Sequence, residues 1–365
     1  MNKLLRKMTR IVNVGNIPIG GGFPVSVQSM TTVKTDDVPA VIREIEKLAA
    51  ADCQIVRVTV PDEKAAKAFA DIKKSVSIPL VADIHFDYRL ALMAIDAGAD
   101  KIRINPGNIG GNDRVRQVLK AAKAAKIPIR IGVNSGSLEK SLLEKYGHPT
   151  PEAMVESAEK HIRLCRENDF EDVIVALKSS NVRLMITANR QFSRKYDFPL
   201  HLGVTEAGPP WQGTIKSAIG IGALLSEGIG DTLRVSLTDD PVQEVRTGFE
   251  ILKSLNSIKK GVTIVSCPSC GRTEVNLFDI VKEVEARTQN IQKPLTIAVM
   301  GCVVNGPGEA READLGIAGG KNVFLLFKKG KIIDKIPESR AVDRLLEEIG
   351  KFSESDYRGN SGDCR

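Results

Sequence analysis

Aromatic side chains are scarce in this sequence: one Trp, four Tyr and eleven Phe among 365 residues. Base-stacking platforms are therefore few, which counts against a nucleic-acid binder despite a formal net charge of +7. Long apolar runs are missing too. Nothing approaches the roughly eighteen consecutive apolar residues of a membrane span, and the basic N-terminus lacks the apolar core of a secretory signal. A cytoplasmic protein is expected. Six cysteines are too few for a disulfide scaffold in a chain of this size. Their clustering reads instead as metal chemistry in a reducing compartment. What remains is an ordinary globular composition, 42% apolar and 27% charged, with enough residues for two domains.

Two short stretches near the C-terminus carry the metal reading. In C-P-S-C, Cys267 and Cys270 are spaced to grip one centre from a single turn. In G-C-V-V-N-G-P-G-E, Cys302 offers a third thiol and Glu309 a carboxylate, with Pro307 and Gly308 bending the chain between them. Three soft thiolates and one hard carboxylate are an odd set for structural zinc, which favours a closed shell of Cys and His. They suit an iron–sulfur cluster with one weakly held iron.

Upstream, a unit recurs at intervals of roughly 25 to 35 residues: a β-branched run, a polar or glycine-containing loop, then an amphipathic helix. The runs start at Val25, Ile55, Pro79, Lys101, Pro128, Asp172, Leu200 and Thr232. Strands alternating with helices predict a parallel sheet, and eight such units predict closure into a (β/α)8 barrel rather than an open doubly wound sheet. A hairpin within residues 11–24 is expected beneath it. The pattern stops near Ser254 to Lys260. Residues 1–255 are therefore expected to form the barrel, and residues 256–365 a small α+β domain with both cysteine loops at strand C-terminal ends. The polar tail from Ser353 to Arg365 has a disordered composition.

Catalytic groups of such barrels project from the C-terminal ends of the strands. Those ends offer Arg57, Asp83, His85, Arg103, Asn105, Arg130, Asn134, Lys178, Thr205, Glu206, Arg234 and Ser236. A cation in an apolar strand is costly to bury unless paired. Any one arginine can be a structural partner of Asp83 or Glu206. Four arginines and a lysine converging on one mouth point further, to a diphosphate held bidentately by Arg and as a point charge by Lys. Glu206 and His85 are the candidate proton handlers, although a lone His at a strand end is commonly a satisfied core residue. Met30, Met93 and Met185 read as core or mouth filler, Trp211 as loop packing, and Cys53 and Cys165 as small buried apolar residues.

The motifs Q-S-M-T-T, D-I-H-F, K-I-R-I-N-P-G-N-I-G, R-I-G-V-N-S-G-S-L, T-E-A-G, S-C-P-S-C-G-R and G-C-V-V-N-G-P-G-E-A together resemble the 4-hydroxy-3-methylbut-2-enyl diphosphate synthase family. The match spans nearly the whole chain and looks like the two-domain bacterial form, without the domain inserted in plant versions. The resemblance implies a [4Fe-4S] cluster on Cys267, Cys270, Cys302 and Glu309, with flavodoxin or ferredoxin as electron donor. It implies two-electron reductive ring opening and dehydration of 2-C-methyl-D-erythritol 2,4-cyclodiphosphate, a step of non-mevalonate isoprenoid synthesis. It further implies diphosphate binding by Arg57, Arg103, Arg130, Asn134, Lys178, Arg234 and Ser236, and proton transfer at Glu206 with Thr205 adjacent. Asp83, at the same mouth, is expected to be a substrate-binding residue as well. Glu309 is then a displaceable ligand that gives way to a substrate oxygen. A homodimer is implied in which one subunit's cluster domain closes the other's barrel. The competing reading is a barrel hydrolase or transferase with a structural zinc knob, Cys364 serving as the fourth thiol.

Overall fold

A computed structural model describes residues 6–105, 109–302, 312–321 and 323–352. The chain divides into two compact units, Met1–Ile258 and Lys259–Arg365.

In the first unit, eight parallel strands alternate with helices. They are β3 (Ser26–Met30), β4 (Ile55–Thr59), β5 (Leu80–Asp83), β6 (Lys101–Ile104), β7 (Ile129–Asn134), β8 (Val173–Lys178), β9 (His201–Leu202) and β10 (Thr232–Leu233). Their order is β8-β7-β6-β5-β4-β3-β10-β9. A bridge between Val175 and Leu200 joins the two ends, so the sheet closes on itself as the eight-unit repeat predicts. The last two strands are shorter than their sequence runs, and Thr205, Glu206, Arg234 and Ser236 lie on the loops beyond them. Here the backbones crowd: a Cβ at Gly203 would sit 2.5 Å from the Arg234 carbonyl oxygen.

Strand alternation sends neighbouring side chains to opposite faces. Val56 and Val58 therefore pack outward against the helices, while Ile55 and Arg57 point inward. Helix starts are specified locally. Asp37, Asp62, Asn181 and Asp240 each accept a hydrogen bond from a first-turn amide, the usual N-cap satisfaction of an orphan donor. The antiparallel hairpin of β1 (Val12–Val14) and β2 (Ile17–Ile19) presses Val12, Val14 and Ile19 against Ile55, Val81 and Ile174. These partners sit at the beginnings of their strands, so the hairpin closes the barrel floor with an apolar plug.

The second unit is a five-stranded sheet in simple order: β11 (Val262–Ser266), β12 (Leu295–Met300), β13 (Leu315–Gly320), β14 (Val323–Lys328) and β15 (Lys331–Pro337). The first three run parallel and the last two antiparallel. One face carries the helices Leu277–Thr288 and Ala341–Lys351, which bury Ile280, Val284, Leu345 and Ile349 against the strands. Lys329 and Gly330, both at positive φ, make the two-residue turn between β14 and β15. The tail from Ser353 onward, with Cys364, lies outside the described residues.

Candidate active site

Register delivers the mouth. Met30 pairs with Arg57 on the neighbouring strand, Asp83 with Arg103, Arg103 with Arg130, and Asn134 with Lys178. In a parallel sheet, paired residues point to one side, and here that side is the barrel interior. The result is a cavity of about 180 Å³ lined by Arg57, Asp83, His85, Arg103, Arg130, Gly132, Asn134, Ala176, Lys178, Thr205, Arg234 and Ser236. Gly132 is part of the design, because a Cβ there would stand 3.2 Å from Arg103 Nε.

Two buried carboxylates hold three of the arginines. Asp83 accepts from Arg103 Nη1 at 2.9 Å and lies 3.4 Å from Arg57 Nε, an ion pair without hydrogen-bond geometry. Arg57 Nη2 instead meets Met30 Sδ at 2.8 Å, which gives Met30 a task beyond filling space. Glu244, on the helix Pro241–Ser254, accepts from Arg234 Nη2 at 3.0 Å and Nε at 3.2 Å. Arg130 and Lys178 differ. Both are buried, neither has an ion-pair partner among the described residues, and Arg130 Nε and Nη1 are orphan donors.

The electrostatics follow from that imbalance. Burial pushes the Arg130 and Lys178 cations well below their ordinary pKa, and neighbouring arginines add to the shift. Arg57 falls to about 10, through burial first, with Asp83 opposing and Arg234 and Arg103 reinforcing. Burial alone would raise the Asp83 carboxyl, but Arg57 and Arg103 outweigh it and bring it to about 2. Such a mouth is poised for an anion. His85 sits at the rim with Nε2 3.1 Å from Arg103 Nη1. A guanidinium only donates, so Nε2 is the acceptor and the ring proton is on Nδ1. Burial, with Arg103 and Arg57 assisting against Asp83, lowers the His85 pKa and favours that neutral ring.

The remaining sequence expectations fall in different places. Thr205 lines the cavity. Glu206 is exposed and outside the lining, yet its backbone holds a left-handed φ of 51°, a conformation that costs a non-glycine residue about 1 kcal/mol. Cys53 and Cys165 are buried thiols, pushed up to about 12 by burial. Trp211 does not pack under a loop. It stands 78% exposed in the first turn of the helix Pro210–Ser226, because its side chain starts a helix face that the barrel does not cover.

In the second unit, β11 and β12 are parallel neighbours, so the loops that follow them leave the same sheet edge side by side. Cys267 directly follows β11, and Cys302 comes two residues after β12. The Gly301 amide donates to Cys267 Sγ at 3.2 Å, and Glu274 N donates to the Gly301 carbonyl at 3.1 Å. These bonds tie the two cysteine loops together. Cys270 is exposed, its amide held by Thr273 Oγ1 at 3.1 Å. The Arg272 amide and guanidinium lower its thiol pKa. The Cys267 and Cys270 thiols, both on the first loop, accept hydrogen bonds as ligating thiolates do. Among the described residues, however, no three Cys, His, Asp or Glu side chains come together to hold a metal ion. Glu309 lies outside the described residues.

Two family descriptions match this chain in succession: the GcpE TIM-barrel domain over residues 9–249 and the GcpE protein C-terminal domain over residues 263–351. The chain belongs to the GcpE family. A curated relative from Clostridium perfringens, 4-hydroxy-3-methylbut-2-en-1-yl diphosphate synthase (flavodoxin), is 59% identical over 94% of this chain and 99% of its own length. The Bacillus subtilis protein of the same name is 57% identical over 96% of this chain and 93% of its own.

In this GcpE-family barrel the sequence reading missed three interior residues. Glu244 was not among the sequence candidates. Lys101 and His201 are fully buried below the cavity, where burial and nearby cations lower both their pKa values. The strand-interior position of Lys101, two residues before Arg103, was the signal available for it.

Proposed function

We propose that the chain converts 2-C-methyl-D-erythritol 2,4-cyclodiphosphate to 4-hydroxy-3-methylbut-2-enyl diphosphate, by two-electron reduction with loss of water, in non-mevalonate isoprenoid synthesis. The observation that carries this reading is the pair of buried cations, Arg130 and Lys178, that have no ion-pair partner among the described residues, in a cavity shared with three further arginines. Buried uncompensated charge is costly, and a diphosphate would supply the missing anions. The names of the relatives agree in product and in flavodoxin as donor.

In this reading Arg130 and Lys178 take the diphosphate oxygens. Arg57, Arg103 and Arg234, already oriented by Asp83 and Glu244, complete the grip, with Asn134 and Ser236 donating the remaining hydrogen bonds. Asp83 then serves the arginines rather than the substrate, since its carboxylate would repel a phosphate. Filling the cavity expels its water and strengthens every contact inside. Thr205 faces the bound molecule, and the Glu206 carboxyl is the proton donor from the adjoining loop. His85, neutral with its proton on Nδ1, caps the arginine cluster at the rim.

Cys267, Cys270, Cys302 and Glu309 would hold a [4Fe-4S] cluster. When bound, that cluster supplies the reducing electrons one at a time, received from flavodoxin or ferredoxin. A cytoplasmic homodimer, with one subunit's cysteine domain serving its partner's barrel, fits two halves of a site carried on separate units.

The test is anaerobic turnover of the cyclic diphosphate with a strong one-electron reductant, following the linear product. Protein with an intact cluster that yields no product would overturn the proposal.

A further inference from the structure

Glu244 is the most fully engaged acid near the mouth, and none of its partners is substrate. It is 3% exposed, in the first turn of its helix. Its two oxygens accept four hydrogen bonds. Oε2 takes Arg234 Nε at 3.2 Å and Ser29 Oγ at 2.8 Å. Oε1 takes Arg234 Nη2 at 3.0 Å and the Leu237 amide at 3.0 Å. The carboxylate thereby joins the end of β3, the exit of β10, the loop after it and the following helix. A guanidinium gripped on one edge by a planar carboxylate cannot rotate. Arg234 keeps its other donors for the cavity that it lines.

We propose that Glu244 is a positioning residue: with Ser29 it locks the Arg234 fork at the angle required by a diphosphate in the barrel mouth. This rests on the diphosphate reading of the cavity. The role differs from simple charge balance. A counter-charge works from any nearby place, whereas a fork-to-fork grip depends on reach. Side-chain length therefore separates the two. Glu244→Asp keeps the charge and retracts the carboxylate by one methylene. Ser29→Ala keeps both length and charge, and removes one of the bonds that hold the carboxylate in plane.

The experiment is calorimetric titration of the full-length protein, prepared anaerobically, with inorganic pyrophosphate. Glu244→Asp is expected to weaken binding about tenfold and Ser29→Ala about threefold, whereas in an Arg234→Met background Glu244→Asp should cost less than about twofold. In turnover, the loss should appear mainly in KM. Because Ser29→Ala removes only a hydroxyl, it reads the same lock if Glu244→Asp folds poorly. The proposal is overturned if Glu244→Asp binds within twofold of the parent, or if its loss persists undiminished without Arg234, as a merely structural role would give. A parent protein that ignores pyrophosphate removes the diphosphate seat itself, and this proposal with it. Tight binding insensitive to all three substitutions removes the lock and leaves the seat standing.

Discussion

The floor and the mouth of the barrel are built by the same strands and obey opposite rules. On β4, Ile55 belongs to the floor and Arg57 to the mouth; on β5 the pair is Val81 and Asp83, and on β8 it is Ile174 and Lys178. Each pair lies on one inward face, a few residues apart. At the floor, apolar side chains meet the hairpin and stabilise the fold by burial. At the mouth, five cations meet two carboxylates, and two of the cations have no ion-pair partner among the described residues. The largest apolar cluster lies between the outward strand faces and the helices. The floor adds a small apolar plug with Lys101 and His201 buried above it, and the upper layer is held in place against its own repulsion. This division is expected when a site is shaped for a ligand rather than for stability.

Removing a mouth cation should sharpen the contrast most. Lys178→Met is expected to lower turnover by at least about 100-fold, since it deletes a buried charge from the anion grip. The same substitution should stabilise the ligand-free protein by about 1 to 3 kcal/mol, because an apolar residue replaces an uncompensated charge. Loss of both activity and stability in denaturant titrations would contradict the division. Ile174→Ala is the opposite probe at the floor. It should cost about 2 to 5 kcal/mol through the cavity it leaves, with turnover per folded molecule unchanged.

Asp83 tests the mouth by pH. Its carboxyl is depressed from 3.8 to about 2, with burial opposing and Arg57 and Arg103 prevailing. Between those values the unfolded chain binds the proton and the folded chain does not. The contribution, about 2 kcal/mol, is therefore complete above roughly pH 4 and is lost as pH falls through about 2. Asp83→Asn should flatten that limb of the stability profile. The smallest effect concerns the loop after β9. Glu206→Gly should relieve the left-handed backbone and gain about 1 kcal/mol, while turnover falls with the lost carboxyl. A loss of stability there would show that Glu206 is held by contacts and not strained.

Much of this was legible in one dimension. The eight runs mark all eight barrel strands, because a buried parallel strand must be β-branched and apolar and its crossover helix amphipathic. Arg57, Arg103, Arg130 and Lys178 were visible because a cation inside such a run contradicts its surroundings. Glu244 was not, because an acid in the first turn of a helix is common and nothing in its neighbourhood names Arg234 or Ser29 as partners. Trp211 was misread for the same reason: exposure depends on what lies opposite, and a tryptophan beside prolines resembles a packed loop.

The sequence by itself determined which residues are costly to bury and where along each strand they fall, since periodicity assigns faces and propensity assigns elements. Only the tertiary structure decided which charge answers which. Asp83 took two arginines and Glu244 one, while Arg130 and Lys178 were left without a carboxylate among the described residues, because barrel closure and strand register set distances that local sequence does not encode.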